Sequence, residues 1–274
     1  MTDSDRNDPV SVLVRQIKAT RKYGDICDQT IRDVVEQALP KYKRRRDAVK
    51  AARTKLHRIQ AAYLGRDVIA ERLDDVRSAH QARDASRLRA ICLQLMQDHA
   101  STRERIGLLE HFYRRIFAVT GTPRTILDVA CGVHPLSIPW MELPTDTVYH
   151  AYEISAGMVA SLNGFLAAIG MTGSARLQDV ICTPPAETGD LAFLMKMVPC
   201  LERRRKGIAL KLIENLKVHH VVVSFPVHSL AGRSKHMPQF YTHSFTDMVH
   251  GYPWQVTHVP MEGELVFVVD KRTG

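Results

Sequence analysis

The stretch that most constrains the fold is a short apolar run followed by a turn of small residues. Residues 126–129 include a β-branched residue at each end, and Ala130, Cys131 and Gly132 follow directly. An apolar run that ends at such a turn is typical of a buried strand in a parallel sheet. Small residues at the carboxyl end of the strand let a ligand approach the backbone closely. Taken alone, the pattern is equally compatible with any strand that precedes any loop.

Acidic residues mark the ends of further strand-like runs. The second run, residues 147–154, places Glu153 25 residues after Asp128, and a helical segment over residues 156–169 follows it. An acid at this spacing is suited to accept hydrogen bonds from the two ribose hydroxyls of an adenosine cofactor. A third run, residues 175–180, also has an acid near its end, Asp179, and two more runs, residues 190–198 and 219–225, end at Pro199 and Pro226. We therefore expect a doubly wound α/β sheet with a ligand site along one edge.

The first 120 residues have the apolar spacing of helices throughout. Ser101 and Glu104 have the spacing of a capping box at the start of the last of these helices. The pattern predicts helices that end near Gly24, Pro40 and Gly65, and further helices over residues 67–83, 86–98 and 101–119.

The C-terminal part predicts a closing hairpin. A helix over residues 241–252 precedes two strands, residues 255–260 and 264–270, which are joined by a turn at Gly263. A parallel sheet closed by such a hairpin is the seven-stranded arrangement of the class I methyltransferases.

Positive charge is concentrated in the helical part of the chain. The formal net charge is +9, and residues 1–100 carry 21 Lys and Arg against 14 Asp and Glu. Residues 41–58 contain one acid, Asp47, against nine bases: Lys41, Lys43, Arg44, Arg45, Arg46, Lys50, Arg53, Lys55 and Arg58. A phosphate backbone rewards such a cluster through counterion release. The alternative is a solvated helix face without a partner.

The remaining composition points to a cytoplasmic protein. The sequence has no run of 18 or more apolar residues and no signal peptide at its first residues, so we expect no membrane contact. Its five cysteines form no C-x-x-C pair, and we therefore expect neither a structural metal nor a disulfide framework.

Two motifs together identify a family. Residues 127–132 read Leu-Asp-Val-Ala-Cys-Gly, with Pro135 and Leu136 close behind, and residues 224–237 contain Ser-Phe-Pro followed by Ser-Leu-x-Gly-Arg-Ser-Lys-x-Met. These motifs resemble the aminoglycoside-resistance 16S ribosomal RNA methyltransferases, above all the sisomicin–gentamicin resistance enzymes of drug-producing actinomycetes. The resemblance extends over essentially the whole chain.

The resemblance implies an activity, a partner and a domain organisation. It implies an enzyme that methylates N7 of guanine 1405 in the assembled 30S subunit, uses S-adenosylmethionine, releases S-adenosylhomocysteine and acts as a monomer. Resistance to gentamicin- and kanamycin-type aminoglycosides would follow. A basic, helical, rRNA-binding domain would span residues 1–100 and a Rossmann-like class I methyltransferase domain residues 101–274.

The resemblance also assigns site residues. Glu153 matches the acid that holds the ribose, Asp179 the residue near the adenine amino group, and Arg105 the partner of the cofactor carboxylate. The full cofactor set that it implies is Tyr63, His99, Ser101, Arg105, Ala130, Gly132, Glu153, Asp179, Val180 and Met195. The RNA contacts that it implies include Lys196 and Arg233, which would position the target guanosine, and also Lys235. These three join the bases of the helical part: Lys41, Lys43, Arg44, Arg45, Arg46, Lys50, Arg53 and Lys55. The turn after the first strand has a single glycine, where the wider class often has two or three.

The chemistry requires positioning rather than a general base. Guanine N7 carries an in-plane lone pair and no proton, so it can attack a sulfonium methyl group once the two are aligned. The nucleotide must leave its stack to reach the cofactor. Two other functions stay open on the sequence alone. A small-molecule methyltransferase would leave the basic helices unused, and a non-enzymatic rRNA-binding factor would leave Glu153 and Asp179 unexplained.

Overall fold

The computed structural model describes residues 8–60, 68–97, 100–227 and 237–272, without the side chains of residues 60, 100 and 101. The part before the sheet is helical. Its α-helices are α1 Pro9–Lys18, α2 Asp28–Ala38, α3 Arg45–Gln60, α4 Leu73–Gln81, α5 Ala85–Gln97, α6 Ala100–Arg103 and α7 Leu109–Thr120. Short 3-10 turns occur at Leu39–Lys41, Ala70–Arg72 and Ile106–Leu108.

The rest of the chain builds a seven-stranded sheet. Its strands are β1 Thr125–Val129, β2 Val148–Glu153, β3 Thr172–Leu177, β4 Thr188–Met195, β5 Lys217–Pro226, β6 Gln255–Val259 and β7 Glu264–Asp270. The intervening helices are α8 Ala156–Ala168, α9 Val198–Arg204, α10 Ile208–Asn215 and α11 Met237–Val249, and a 3-10 helix spans His134–Trp140.

The strand order β3-β2-β1-β4-β5-β7-β6 confirms the predicted fold class. Strands β1 to β5 are parallel, and β7 is antiparallel to both β5 and β6. The central strand β1 is buried from Ile126 to Val129, as its apolar run predicts. The chain order reverses between β1 and β4, so a crevice is expected beyond the carboxyl ends of these strands.

Three groups of buried side chains hold the molecule together. One group lies within α1, α2 and α3 and includes Ile17, Ile31 and Leu56. The other two cover the two faces of the sheet. Helices α4 and α5 belong to one of these sheet groups, because Val76 and Cys92 share a cluster with sheet residues. The helical part of the chain is therefore divided between a core of its own and the core of the sheet.

Local differences from the predicted elements lie mainly around residues 100–108. The predicted helix over residues 101–119 is confirmed from Leu109 onward but is interrupted before it, since α6 ends at Arg103 and α7 begins only at Leu109. The predicted capping box is wrong: Ala100 already lies inside α6, and Glu104 pairs with Lys196 instead. The chain breaks there because Arg105 turns inward to a buried ion pair.

In the described segments, no helix is both long enough and apolar enough to cross a bilayer.

Candidate active site at the carboxyl edge of the sheet

The turn after β1 forms the centre of the edge. Ala130 and Gly132 both have a φ of 52°, in the left-handed region that favours glycine. The Cys131 amide donates to the Tyr152 carbonyl at 3.0 Å, which ties the turn to the end of β2. A left-handed alanine costs about 1–2 kcal/mol, and strain of this kind is typical of ligand sites. The turn therefore keeps its unusual backbone with one glycine and one alanine.

Glu153, at the end of β2, is held under this turn by backbone amides. Its Oε2 accepts from the Gly132 amide at 3.0 Å, and its Oε1 accepts from the Ile154 amide at 2.6 Å. The side chain is 1% exposed. Burial raises its pKa to about 7, although the backbone donors oppose the shift. Its Oε1 also accepts from the Ser155 amide at 3.3 Å, so Oε2, which has a single donor, keeps capacity for a ribose hydroxyl.

Arg105 lies in a buried ion pair with Glu264, the first residue of β7. Its Nε donates to Glu264 Oε2 at 3.0 Å, its Nη2 bonds the other carboxylate oxygen, and both side chains are 1% exposed. Burial alone would raise the pKa of Glu264, but Arg105 and Lys196 hold that pKa below its ordinary value. The one sign of Glu264 in the sequence is an acid at the start of an apolar strand.

Lys196 follows β4 and reaches the same pair. Its φ is 57°, and its amide donates to the carbonyl oxygen and the hydroxyl of Ser224 at 3.0 and 3.1 Å. Its Nζ lies 2.7 Å from Glu104 and 3.6 Å from Glu264. Lys196 is thus the second non-glycine residue of this edge with a left-handed backbone, after Ala130. It is also the lysine that the resemblance assigns to the target nucleotide.

Asp179, two residues beyond β3, joins the sheet to the N-terminal helices. Its Oδ2 accepts from Thr30 Oγ1 and Arg204 Nη1, both at 2.6 Å, and its Oδ1 accepts from the Ile181 amide at 3.0 Å. Arg204 also binds Asp33 of α2 at 2.7 Å. Burial alone would raise the pKa of Asp33, but Arg204 holds that pKa below its ordinary value. One arginine therefore bridges two buried acids from different parts of the chain.

The loop before α2 crosses the start of α8, next to Glu153. The Cys27 amide donates to the Ile154 carbonyl at 2.7 Å, and the Ala156 amide donates to the Asp25 carbonyl at 2.9 Å. The Asp25 carboxylate accepts from the Gly157 amide at 2.7 Å, so it satisfies a free donor of the first turn of α8. The N-terminal helices are thus fastened to the loop that carries the ribose-type acid.

A buried polar network lies beneath the turn, and the sequence analysis missed it. Asp128 Oδ2 accepts from Tyr149 at 2.7 Å and lies 3.0 Å from His134 Nδ1. His134 Nε2 lies 2.9 Å from the Tyr113 hydroxyl, which also meets Ser137 at 2.5 Å. Burial raises the pKa of Tyr113 to about 12, so this hydroxyl keeps its proton. The sequence feature that could have indicated this network is Asp128, an acid inside the apolar run of β1.

Two unsatisfied atoms show that the edge suits S-adenosylmethionine. Among the described residues, Arg105 Nη1 and Asp128 Oδ1 are buried and have no hydrogen-bond partner. The methionine end of the cofactor carries one carboxylate and one ammonium group, which match a guanidinium donor and a carboxylate acceptor. Together with Glu153, these residues would hold both ends of the cofactor. They supply binding, and the sulfonium of the bound cofactor would supply the methyl group.

Several predicted site residues fall at or beyond the limits of the description. Tyr63, His99, Arg233 and Lys235 lie outside the described residues, and Ser101 is described only for its backbone within α6. Those assignments stay predictions. The structure does bring together, along one edge, the remaining predicted cofactor residues: Arg105, Ala130, Gly132, Glu153, Asp179, Val180 and Met195.

The predicted RNA-contact residues do not all share one environment. Lys43, Arg45 and Lys50 are exposed. Lys55 instead turns toward the sheet, where its Nζ donates to Gln37 at 2.5 Å and to the Arg204 carbonyl at 3.3 Å. Burial lowers the pKa of Lys55. The structure thus places Lys55 in the contact between the helices and the sheet, away from the exposed face on which its helical spacing was expected to put it. Its assignment to RNA stays a prediction.

These features define the class of protein. The strand order, the left-handed turn after β1 and the acid at the end of β2 are those of a class I S-adenosylmethionine-dependent methyltransferase. The sequence model of the ribosomal RNA methyltransferase (FmrO) family matches residues 19–268, and the chain belongs to this family.

Relatives in this family match over nearly their whole length. The 16S rRNA (guanine(1405)-N(7))-methyltransferase of Micromonospora echinospora is 33% identical over 274 residues, which cover 99% of this chain and 100% of the relative. A protein of the same name from Serratia marcescens is 36% identical over 232 residues, covering 85% and 86%. The crystal structure of the 16S rRNA methyltransferase RmtF with S-adenosyl-L-homocysteine has a TM-score of 0.79 at 30% identity, and the match covers 96% of this chain and 98% of RmtF.

Proposed function

We propose that this protein methylates N7 of guanine 1405 of 16S rRNA in the assembled 30S subunit, with S-adenosylmethionine as methyl donor. The observation that carries the proposal is the full-length match to relatives that bear this activity in their names. That match includes the N-terminal helices as well as the sheet, so it favours an RNA substrate over a small molecule. Methylation in the cytoplasm, where the subunits are, would protect the decoding site from gentamicin- and kanamycin-type aminoglycosides.

The side chains of the edge support a positioning mechanism. Guanine N7 has no proton to lose, so the chain has to align the nucleobase and exclude water rather than supply a general base. Lys196 is 8% exposed at the carboxyl edge, and its Nζ lies beside the carboxylates of Glu104 and Glu264. A held cation of this kind suits the electron-rich edge of an everted guanine. Arg233 is proposed as the second contact to that nucleotide.

The basic helices are proposed to bind the rRNA backbone. Lys43, Arg45 and Lys50 are exposed on or just before α3, where phosphate groups can reach them. The domain boundary predicted at residue 100 stays a prediction. Since α4 and α5 share the core of the sheet, we propose that the rRNA-binding unit is residues 8–60 and that the division follows α3.

The test is transfer of tritiated methyl from S-adenosylmethionine to purified 30S subunits, with naked 16S rRNA in parallel. Borohydride–aniline cleavage then maps the modified nucleotide. We expect label on the subunits and one cleavage at guanine 1405. Subunits that stay unlabelled while the protein binds S-adenosylhomocysteine would favour the small-molecule methyltransferase. Failure to bind S-adenosylhomocysteine as well would favour the non-enzymatic factor.

The assignment of Lys196 is tested with two lysine variants. Lys196→Gln should lower methyl transfer by about a hundredfold, because misplacing the nucleobase by about 1 Å costs alignment on this scale. Its affinity for S-adenosylhomocysteine should change far less. Lys206→Gln, at an exposed position after α9, is the matched control and should behave as the parent protein. Arg233→Ala, scored the same way, tests the second proposed contact, and a fully active variant would remove that residue from the proposal.

A further inference from the structure

A cleft between α1 and α3 is separate from the edge of the sheet. It has a volume of about 710 Å³ and is lined by α1, the loop that follows it and one face of α3. Its apolar part consists of Leu13, Tyr23 and Val49, which are buried, together with Val12, which is 39% exposed. Helix α2, by contrast, provides the contacts to Asp179 and Arg204. None of the residues that line the cleft takes part in these contacts.

The rest of the cleft lining is cationic. The described residues that line it include no acid, and its basic members are Lys22, Arg45, Arg46, Lys50, Arg53 and His57. Among the described lining residues, Gln16 and Thr54 add uncharged polar side chains. A ligand with negative charge is therefore favoured, and the two neutral polar side chains can hydrogen-bond an uncharged part of it.

Arg53 marks where the charge of the ligand would lie. Its Nε is buried and has no hydrogen-bond partner among the described residues. The Tyr23 hydroxyl donates to the Arg53 backbone carbonyl at 3.1 Å, so the aromatic ring is held beside the backbone of Arg53. A buried N–H donor without an acceptor is costly, and a bound phosphate oxygen would satisfy it.

The combination of an apolar floor and a cationic rim distinguishes two ways of binding RNA. A duplex backbone presents rows of phosphates and would use the rim alone, leaving the floor without a role. An unpaired nucleotide uses both parts, because its nucleobase packs on apolar and aromatic side chains while its phosphate meets the cations. Ligand clefts of a few hundred to about 1,000 Å³ are common, so this one is large enough.

We propose that this cleft receives one unpaired nucleotide of the rRNA, distinct from the nucleotide that is methylated. The proposal deepens and rests on the proposed function. It makes the N-terminal unit a reader of RNA shape as well as a binder of phosphate, since only a subunit surface with an everted nucleotide at the right place would fill the cleft.

The test fills the cleft without removing charge. Thr54 is exposed on α3, so Thr54→Phe places a neutral ring in the cleft. We expect its affinity for 30S subunits, measured by filter binding, to fall at least tenfold although the protein loses no charge. Arg45→Gln, on the rim, should lower the slope of the salt dependence of binding by about one. Val119→Phe is the control, because Val119 is exposed on α7 outside the cleft, and it should bind as the parent does.

Chemical probing of the rRNA locates the nucleotide. The bound parent protein should protect one unpaired nucleotide other than guanine 1405, and Thr54→Phe should leave that nucleotide reactive. If Thr54→Phe does not fold by circular dichroism, Val12→Ser replaces it and should weaken binding about threefold. A cleft variant that binds as the Val119→Phe control does overturns the inference. The proposed function fails separately, if the parent protein does not methylate 30S subunits at all.

Discussion

Arg105 and Arg204 at the edge of the sheet differ from Lys43, Arg45 and Lys50 near α3 in what surrounds them. The two edge arginines are buried and lie against carboxylates that are equally buried. The three α3 cations are exposed, and within the described segments no carboxylate lies at ion-pair distance from them. A buried cation is retained only with its partners, whereas an exposed one is free to meet a partner from outside. The same kind of residue thus maintains the fold in one region and remains available for RNA in the other.

The largest effect should come from removing the partner of Arg105. Glu264→Gln should lower the free energy of unfolding by about 3–5 kcal/mol, because it leaves a buried guanidinium without its counter-charge. Urea denaturation measures the loss. Glu262→Gln, two residues earlier and exposed, is the matched control and should change stability by less than about 0.5 kcal/mol. Equal stability of the two variants would show that the edge pair contributes nothing.

The acid side of the same pair gives a pH dependence. Because the pKa of Glu264 is lowered by Arg105 and Lys196, its contribution is present above the ordinary carboxyl pKa and is lost as pH falls below about 4.5. The parent protein should therefore lose stability more steeply in acid than Glu264→Gln does.

Arg204 should show the next largest effect. Arg204→Gln leaves Asp33 and Asp179 buried without their shared cation, and we expect a loss of about 3 kcal/mol in unfolding free energy. Affinity for S-adenosylhomocysteine, measured by calorimetry, should fall with it, since Asp179 would no longer be held. Arg203→Gln, at the exposed neighbouring position, serves as the control. If Arg204→Gln is as stable as the parent protein but binds the cofactor more weakly, Arg204 positions Asp179 and does not stabilise the fold.

Glu153 lies between the two extremes, because it is buried but accepts only backbone donors among the described residues. Its pKa of about 7 means that the ionised form, which accepts the ribose hydroxyls, is lost as pH falls. Affinity for S-adenosylhomocysteine should therefore fall about tenfold per pH unit below pH 7 and be level above it. Calorimetry between pH 5.5 and 8.5 checks this. Glu153→Gln should bind weakly at every pH, and a level profile in the parent would refute the assignment.

The stability of the cofactor-free protein should change in the opposite direction. A carboxyl group whose pKa is raised in the folded state binds its proton more tightly there than in the unfolded chain. Glu153 therefore makes the folded state less stable as pH rises from 4.5 to 7, by about 3 kcal/mol. Glu153→Gln should lack this decline.

The exposed cations should show the smallest effect on stability. Lys50→Gln should alter unfolding free energy by less than about 0.5 kcal/mol, since no partner is lost. Its binding to 30S subunits should become less salt-dependent, by about one unit of slope for each phosphate contact removed. Lys211→Gln, exposed on α10, controls for net charge. If the two lysine variants bind alike, the α3 cations do not contact the backbone of the rRNA.

Much of the fold could be predicted from the sequence because its signals are local. The apolar run of β1, the small-residue turn and the acid at residue 153 each lie within a few residues of the element that they define. The closing hairpin could be predicted for the same reason, and its strands lie at residues 255–259 and 264–270, within one residue of expectation. Errors fell where tertiary contacts override local preference, as at Arg105, which interrupts a predicted helix to reach Glu264.

The candidate site likewise combines features that the sequence predicts with contacts that exist only in the folded chain. The class of sheet, the edge at which a cofactor would bind, the acids Glu153 and Asp179 and the basic character of α3 could all be predicted from the sequence. The ion-pair partners of the buried arginines, by contrast, became known only from the tertiary structure. Glu264 meets Arg105 across 159 residues, and Asp33 meets Arg204 across 171. Such pairs leave no periodic trace in a sequence, because their free energy comes from burial and distance in the folded chain, and neither exists before the sheet and the N-terminal helices have packed together.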